Sequence, residues 1–257
     1  MLSIHDWLNA KIKGDYYDLG DIKLPTPLCN SIVSLDTIEE QFMDNLGTEI
    51  FSSESGYTPI FHEGSYEVGR VNVSIKDVVI DVGANIGLFS TLCANRGCTV
   101  YSIEPNEDAL DYLRRIKELN PTFDIRIINK AISDSNGVIP FYSCKNNIGR
   151  NTICDDIVDF WGKGDLFNVT QAESITLDTF VKLNRINKLD FIKADIEGSE
   201  INLLKGATET LKKFKPKLSI CTYHRLEDRK VLAELIHDLN VSYNVRCETS
   251  KLYAWVD

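Results

Sequence analysis

The chain has 257 residues, 43% hydrophobic and 26% charged, with a formal net charge of −10. These are globular values in a chain long enough to bury a sizeable core, which excludes a disordered protein and argues against two full domains. The acidic balance argues against a nucleic-acid partner, because phosphate binding takes clustered Lys and Arg, while a cationic ligand is compatible with it.

The seven cysteines, Cys29, Cys93, Cys98, Cys144, Cys154, Cys221 and Cys247, show no C-x-x-C pair, so neither a metal cluster nor a disulfide framework is expected. No basic stretch leads into an apolar run of about 7 to 15 residues, and nothing approaches about 18 consecutive apolar residues. The expectation is a soluble, cytoplasmic protein with no integral membrane segment.

Residues 1–75 lack a strand-then-helix rhythm. Leu2, Trp7, Leu8 and Ile12 fall on one face of a short helix, and Leu35, Ile38, Phe42 and Leu46 on a better one ending at Gly47. A helical cap or extension is expected there, interrupted by Leu24-Pro25-Thr26-Pro27-Leu28, which the prolines keep extended or turned. The segment from Gly56-Tyr57-Thr58-Pro59 to Gly69 reads as a loop and edge strand lying over the next motif, or as plain surface loop.

That motif is Val78 to Ser90, VVIDVGANIGLFS. The apolar run suits a strand covered on both faces, Asp81 falls near its end, and Gly83, Ala84 and Gly87 leave a bare turn into a helix whose first N–H groups suit a carboxylate or phosphate. The dinucleotide fingerprint G-x-G-x-x-G is not met; the pattern is D-x-G-x-x-x-G, Asp81, Gly83 and Gly87, with Asn85 between. Read physically, Asp81 accepts from an ammonium group while the turn amides meet a carboxylate.

From there strands and helices alternate, which implies a parallel sheet with helices on both faces, in residues 76–257. Cys98 to Ile103 is a second strand ending in Glu104-Pro105, where a carboxylate suits two neighbouring ribose hydroxyls, 21 positions past Gly83. Glu107 to Leu119 is an amphipathic helix. Asp124 to Ile132 alternates as a third strand, ending at Ser133 and Asp134, candidates for an adenine amine through side chain or backbone, although Asp134 to Gly137 also reads as an ordinary turn before the strand Val138 to Tyr142.

Residues 143–170 read as a long irregular loop, a common place for substrate selection, with Arg150 as an anchor for an anionic group and Asn151 beside it. After a short helix from Leu177, Leu189 to Ile196 is a fourth strand carrying Lys193 and Asp195 on one side, able to neutralise each other, before Glu197-Gly198-Ser199-Glu200. A divalent ion held by Asp195 and Glu197 is compatible with the pair, but two acids alone do not specify a metal, and none is assigned. Ser199 to Phe214 is the next helix, and Lys217 to Thr222 a fifth strand delivering Tyr223 and His224 to the same edge as the acids. A helix over Glu227 to Leu239 and strands over Val241 to Cys247 and Lys251 to Val256 close the chain.

The D-x-G-x-x-x-G spacing resembles the first motif of class I S-adenosylmethionine-dependent methyltransferases. The combination VIDVGANIGLFS, SIEPN, AISD-x-x-G, ITLDTF, FIKADIEGSEINLLKGA and KPKLSICTYH closely resembles the FkbM family of such enzymes over about residues 55–257. That resemblance implies a Rossmann-like α/β fold, doubly wound, with seven strands, the last antiparallel. It implies S-adenosylmethionine held by Asp81, Gly83, Asn85, Gly87 and Glu104, with Asp195 and His224 facing the acceptor. The acceptor would be a hydroxyl, or a carboxyl, of a sugar, nucleotide sugar, glycan or polyketide-type product. On this reading His224 is the general base, Asp195 orients it or acts directly, Lys193 offsets charge, and Glu197 and Tyr223 join Arg150 and Asn151 around the substrate. The GRNT loop, Gly149 to Thr152, departs from the small Ser-rich sequence of many members. A nicotinamide-dependent sugar oxidoreductase and a non-catalytic cofactor-binding subunit are the rival readings; the missing third glycine counts against the first.

Overall fold

The computed structural model describes residues 9–27, 65–145, 147–161, 167–248 and 250–257. Residues 9–27 form a ribbon of three short antiparallel strands, β1 (Ile12–Lys13), β2 (Tyr16–Asp18) and β3 (Lys23–Pro25). Ile12 therefore belongs to a strand, and it is exposed rather than on a buried helical face. The reason is local: the chain doubles back at Gly14, so Ile12 pairs with Tyr17 instead of continuing a helix. The extended Leu24-Pro25 segment is as expected. Leu2, Trp7, Leu8, the helix expected over residues 35–46 and the Gly56–Pro59 segment lie outside the described residues.

A seven-stranded sheet carries the rest. Its first strand, β4 (Val78–Val82), runs into helix α1 (Leu88–Asn95), followed by β5 (Thr99–Ile103), α2 (Glu107–Leu119) and β6 (Ile125–Ile128). Helix α2 starts where Asn106 accepts from the Ala109 N–H, carries Glu107 and Asp108 in its first turn, and buries one apolar stripe. The ribbon docks on it: Tyr112 donates to the Pro25 carbonyl at 2.6 Å, and Asn120 bonds the Lys23 backbone on both sides.

Next come β7 (Ala131–Ile132), β8 (Gly137–Cys144), α3 (Asp155–Trp161), β9 (Phe167–Ile175) and α4 (Leu177–Leu183). The third strand expected over residues 124–132 thus divides, β6 staying in the main sheet while β7 joins β8 and β9 in a separate three-stranded sheet. The expected irregular stretch 143–170 also needs correcting, since it contains α3 and the first four residues of β9. Strand β9 pairs with β8 through eight registered residues, from Gly137 opposite Ser174 to Cys144 opposite Phe167. A partner that far along the chain leaves no local periodicity to find.

The chain ends with β10 (Phe191–Ala194), α5 (Glu200–Lys205), α6 (Thr208–Phe214), β11 (Lys217–Cys221), α7 (Asp228–Asp238), β12 (Asn244–Glu248) and β13 (Lys251–Trp255). The single helix expected over 199–214 is two, broken at Gly206. A side chain at Gly206 would overlap the Ser133 carbonyl, so the chain bends there to pass β7. The sheet order is β12-β13-β11-β10-β4-β5-β6, parallel except for β13, which runs antiparallel to both its neighbours. This is the doubly wound α/β fold expected. The two sheet faces pack separate cores, one around Val79, Phe89 and Phe191, the other around Ile80, Phe180 and Ile192.

Parallel register sets one polar row on the first of those faces. Ser102, Asp81, Lys193 and Ser219 stand side by side on β5, β4, β10 and β11. Helix α1 covers this row and is buried from Leu88 to Ala94, so its polar residue Ser90 turns inward to meet it. No described helix is long and apolar enough to cross a membrane.

Candidate active site

A cavity of about 310 Å³ opens at the carboxyl ends of β4, β5, β10 and β11, where ligands bind in open α/β sheets. The β4–α1 turn forms its floor. Gly83 has φ +73°, and a Cβ there would overlap the Asp195 carbonyl oxygen, so only glycine lets the turn pass β10 this closely. Asn85 takes a left-handed φ of 48°. Gly87 caps α1 at φ +86°, where a Cβ would strike Leu113 of α2.

Glu104 closes the β5 side of the cavity. Its two oxygens accept from the backbone N–H groups of Asn85 (3.0 Å) and Asn106 (2.9 Å), so one carboxylate ties the turn to the start of α2. Burial pushes its pKa to about 7, against those two N–H groups and Lys193. Pro105, Ala131, Ile132 and Phe141 give this end an apolar wall.

The turn amides are committed within the protein. Gly83 and Ala84 donate to the Ile103 carbonyl, Asn85 to Glu104, and Ile86 to the Asn85 side chain. Asp81 is likewise one layer behind the cavity. It is fully buried, accepts from Ser90 at 2.6 Å, and lies 3.1 Å from the Lys193 ammonium. Asp81 and the turn amides, expected at the amino-acid end of a cofactor, are engaged within the protein here, where Asp81 anchors Lys193.

Lys193, expected to neutralise Asp195, offsets its charge while bridging Asp81 and the Gly83 carbonyl (2.6 Å). Burial opposes its charge, but Asp81 and Asp195 hold its pKa above the ordinary lysine value. Asp195 accepts from the hydroxyls of Tyr66 (2.6 Å) and Tyr223 (3.1 Å). Burial again opposes ionisation, yet Lys193, His224 and Lys251 keep this carboxyl well below the usual range. The Tyr66 ring lies under both ammonium groups, 5.1 Å from Lys193 and 4.4 Å from Lys251. Tyr66 and Lys251 were not among the sequence candidates; the only signal for Tyr66 was its place in the aromatic segment before β4.

His224 reaches the cavity edge as expected, but its imidazole has no solvent exposure and sits between two carboxylates. Nε2 is 3.0 Å from Glu197 and Nδ1 3.4 Å from Glu200. Burial alone would lower its pKa; the carboxylates of Glu200 and Glu197 raise it far above the ordinary imidazole value. An imidazolium held this way does not take a further proton, which counts against His224 as the general base. Glu197 itself sits at φ 52°, with burial raising its pKa. Tyr223 packs on the His224 ring at 4.1 Å.

The loop over residues 147–153 roofs the cavity. Arg150 lines it. Asn151 lines it too, but its side chain accepts from the Cys144 N–H and donates to the Ile148 carbonyl, both at 2.9 Å, which makes it a turn-former more than a substrate ligand. Thr152 ties the loop to the Glu197 carbonyl at 2.7 Å. Ser133 and Asp134, expected at the adenine, do not line the cavity. The chain leaves the sheet at Ile128, so Ala131 and Ile132 point there instead, and Ser133 is buried with its N–H on the Ile175 carbonyl.

The sequence matches the methyltransferase FkbM domain over residues 81–243. A hexuronic acid methyltransferase, AglP, of Haloferax volcanii is 27% identical over 169 residues, 66% of this chain and 65% of AglP. Methyltransferase sdnD of Sordaria araneosa is 25% identical over 178 residues, 60% of this chain and 68% of sdnD. The crystal structure of a methyltransferase FkbM from Methylobacillus flagellatus superposes with a TM-score of 0.52 at 22% identity, over 85% of this chain and 51% of that one, a likeness of fold. The chain thus spans just under two thirds of AglP and about half of the Methylobacillus structure.

Proposed function

Because the chain belongs to the FkbM methyltransferase family, we propose that it transfers a methyl group from S-adenosylmethionine to a hydroxyl of a sugar or sugar-bearing acceptor. The observation that carries this reading is Glu104: a buried carboxylate at the end of the second parallel strand, pinned by two backbone N–H groups, with lone pairs left for a ligand's hydroxyls. An apolar wall of Pro105, Ile132 and Phe141 beside it suits an adenine. S-adenosylmethionine bound there would supply an electrophilic methyl on a sulfonium, leaving as S-adenosylhomocysteine when the S–CH₃ bond breaks, and the acceptor hydroxyl must lose a proton as its oxygen forms the new C–O bond.

The chain's own contribution is position and charge. Asp195 is kept ionised at the far end of the cavity by Lys193 and Lys251, so it can hold an acceptor hydroxyl by hydrogen bond and stabilise the positive charge that develops on that oxygen as it attacks. Glu197 and His224 share the proton-handling edge beside it. In this arrangement Glu197 is the candidate to receive the hydroxyl proton, with His224 as its charge partner. Arg150 on the cavity roof suits an acidic sugar, which agrees with the hexuronic acid in the name of AglP.

Calorimetry with S-adenosylmethionine, S-adenosylhomocysteine and NAD tests the cofactor. Saturable binding of the first two alone is expected; binding of NAD alone would overturn the reading. Methyl-transfer assays comparing uronic-acid sugars with neutral ones test the acceptor class.

A further inference from the structure

We infer that Asp195, Glu197 and His224 form a binding site for one divalent cation at the acceptor end of the cavity. The sequence offers two acids two residues apart; the fold adds the imidazole from the end of β11. The three residues place ligand atoms within 4.8 Å of one another, and all three line the cavity. Two carboxylates and one imidazole are a donor set for Mn²⁺ or Zn²⁺, with Mg²⁺, which the imidazole suits least, the weakest binder.

Two further observations separate this cluster from a chance gathering of acids. The His224 imidazole is fully buried, yet neither ring nitrogen finds an acceptor in hydrogen-bond direction, although Nε2 is 3.0 Å from Glu197. That separation is the edge expected between two neighbouring ligands of an ion about 2.1 Å from each. The surroundings also have the form of an outer shell. Nδ1 faces Glu200, whose Oε1 is fixed by the Ile196 N–H at 2.9 Å, and the Tyr66 and Tyr223 hydroxyls each hold one oxygen of Asp195. The neighbouring group Glu200, His224 and Asp228 is closed off from the cavity, since Glu200 and Asp228 are both buried and neither lines it. Lys193, which acts on Asp195, is itself engaged by Asp81 and Gly83.

The inference deepens the methyl-transfer reading and changes two roles in it: a cation there would replace the proton on His224 and take Glu197 as a ligand rather than as the base, and it would sit beside the acceptor hydroxyl. Its test does not depend on activity. Metal-stripped protein is titrated with MnCl₂ and followed by calorimetry and by electron spin resonance, with MgCl₂ and ZnCl₂ as competitors. One site per chain is expected, with a nitrogen coupling from a single imidazole. Asp195→Asn and Glu197→Gln should each weaken binding at least tenfold, and Glu200→Gln roughly tenfold through the His224 ring. The exposed Glu173→Gln should change nothing. No saturable Mn²⁺ binding below millimolar, no imidazole coupling, or full affinity in Asp195→Asn would overturn the site. Should Asp195→Asn fail to fold, the wild-type coupling and Glu197→Gln decide. S-adenosylmethionine binding measured in the presence of EDTA reads the cofactor proposal separately.

Discussion

Replacing Glu104 by glutamine should make the protein more stable and less able to hold its cofactor. The folded pKa of about 7 stands above an ordinary value of 4.5, a gap worth about 3 kcal/mol between the two protonation states. The sign follows from an acid whose pKa is raised by folding. The folded chain holds this proton more tightly than the unfolded one, so the contribution is fully present below about pH 4.5 and is lost as pH rises through 7. Glutamine never ionises and escapes that loss. It has one acceptor oxygen for the two N–H groups of Asn85 and Asn106, which returns about 1–2 kcal/mol. The net gain at pH 8 is about 1–2 kcal/mol, or a rise in Tm of roughly 2–8 °C, shrinking to nothing or reversing by pH 5. Affinity for S-adenosylmethionine should fall on the order of 100-fold in the variant, two hydroxyl contacts losing a charged partner. In the wild type it should weaken toward tenfold per pH unit below 7. Differential scanning calorimetry across pH 5–8, paired with titration calorimetry, reads both arms. A variant with unchanged affinity and an unchanged dependence of Tm on pH would refute the placement of a buried, ligand-holding charge at Glu104.

Gly83→Ala should destabilise severely and abolish cofactor binding, since the new Cβ must displace the Asp195 carbonyl in a left-handed backbone; a thermal melt matching the wild type would contradict the close approach. Lys193→Met should cost about 3–5 kcal/mol in urea unfolding by leaving Asp81 charged and buried beside Ser90, and the double variant with Asp81→Asn should recover most of it. If the double variant is no better than the single, the pair is not the anchor described. Tyr223→Phe removes one bond to Asp195 from a residue 39% exposed. Stability should change by less than about 1 kcal/mol while kcat falls and the cofactor Kd holds; an unchanged kcat would take Tyr223 out of the acceptor end.

What the sequence made legible is what neighbours along the chain decide. The strand–turn–helix from Val78 to Asn95, the acid ending β5 and the arrival of Tyr223 and His224 after β11 are each carried by a few consecutive residues, and they stand where expected. The misreadings come from contacts between distant segments. Asp81 looked like a ligand group because its ionic partner, Lys193, comes from a neighbouring strand in register. Ser133 and Asp134 looked like adenine contacts because a single strand was expected to carry them to the sheet edge, whereas the chain crosses into a second sheet at Ala131. The β8–β9 pairing spans an intervening helix, and Tyr66, reaching Asp195 across 129 positions, had no spacing to give it away. His224 was found at the right edge, but its protonation depends on Glu197 and Glu200 folding around it, which composition and periodicity do not report.

The most direct test of the whole account is a crystal structure with S-adenosylhomocysteine bound. The account predicts the ribose hydroxyls on Glu104, the adenine against Ile132 and Phe141, and the sulfur facing Asp195, Glu197 and His224. A nucleoside bound elsewhere, or one whose sulfur points away from those three side chains, would contradict it.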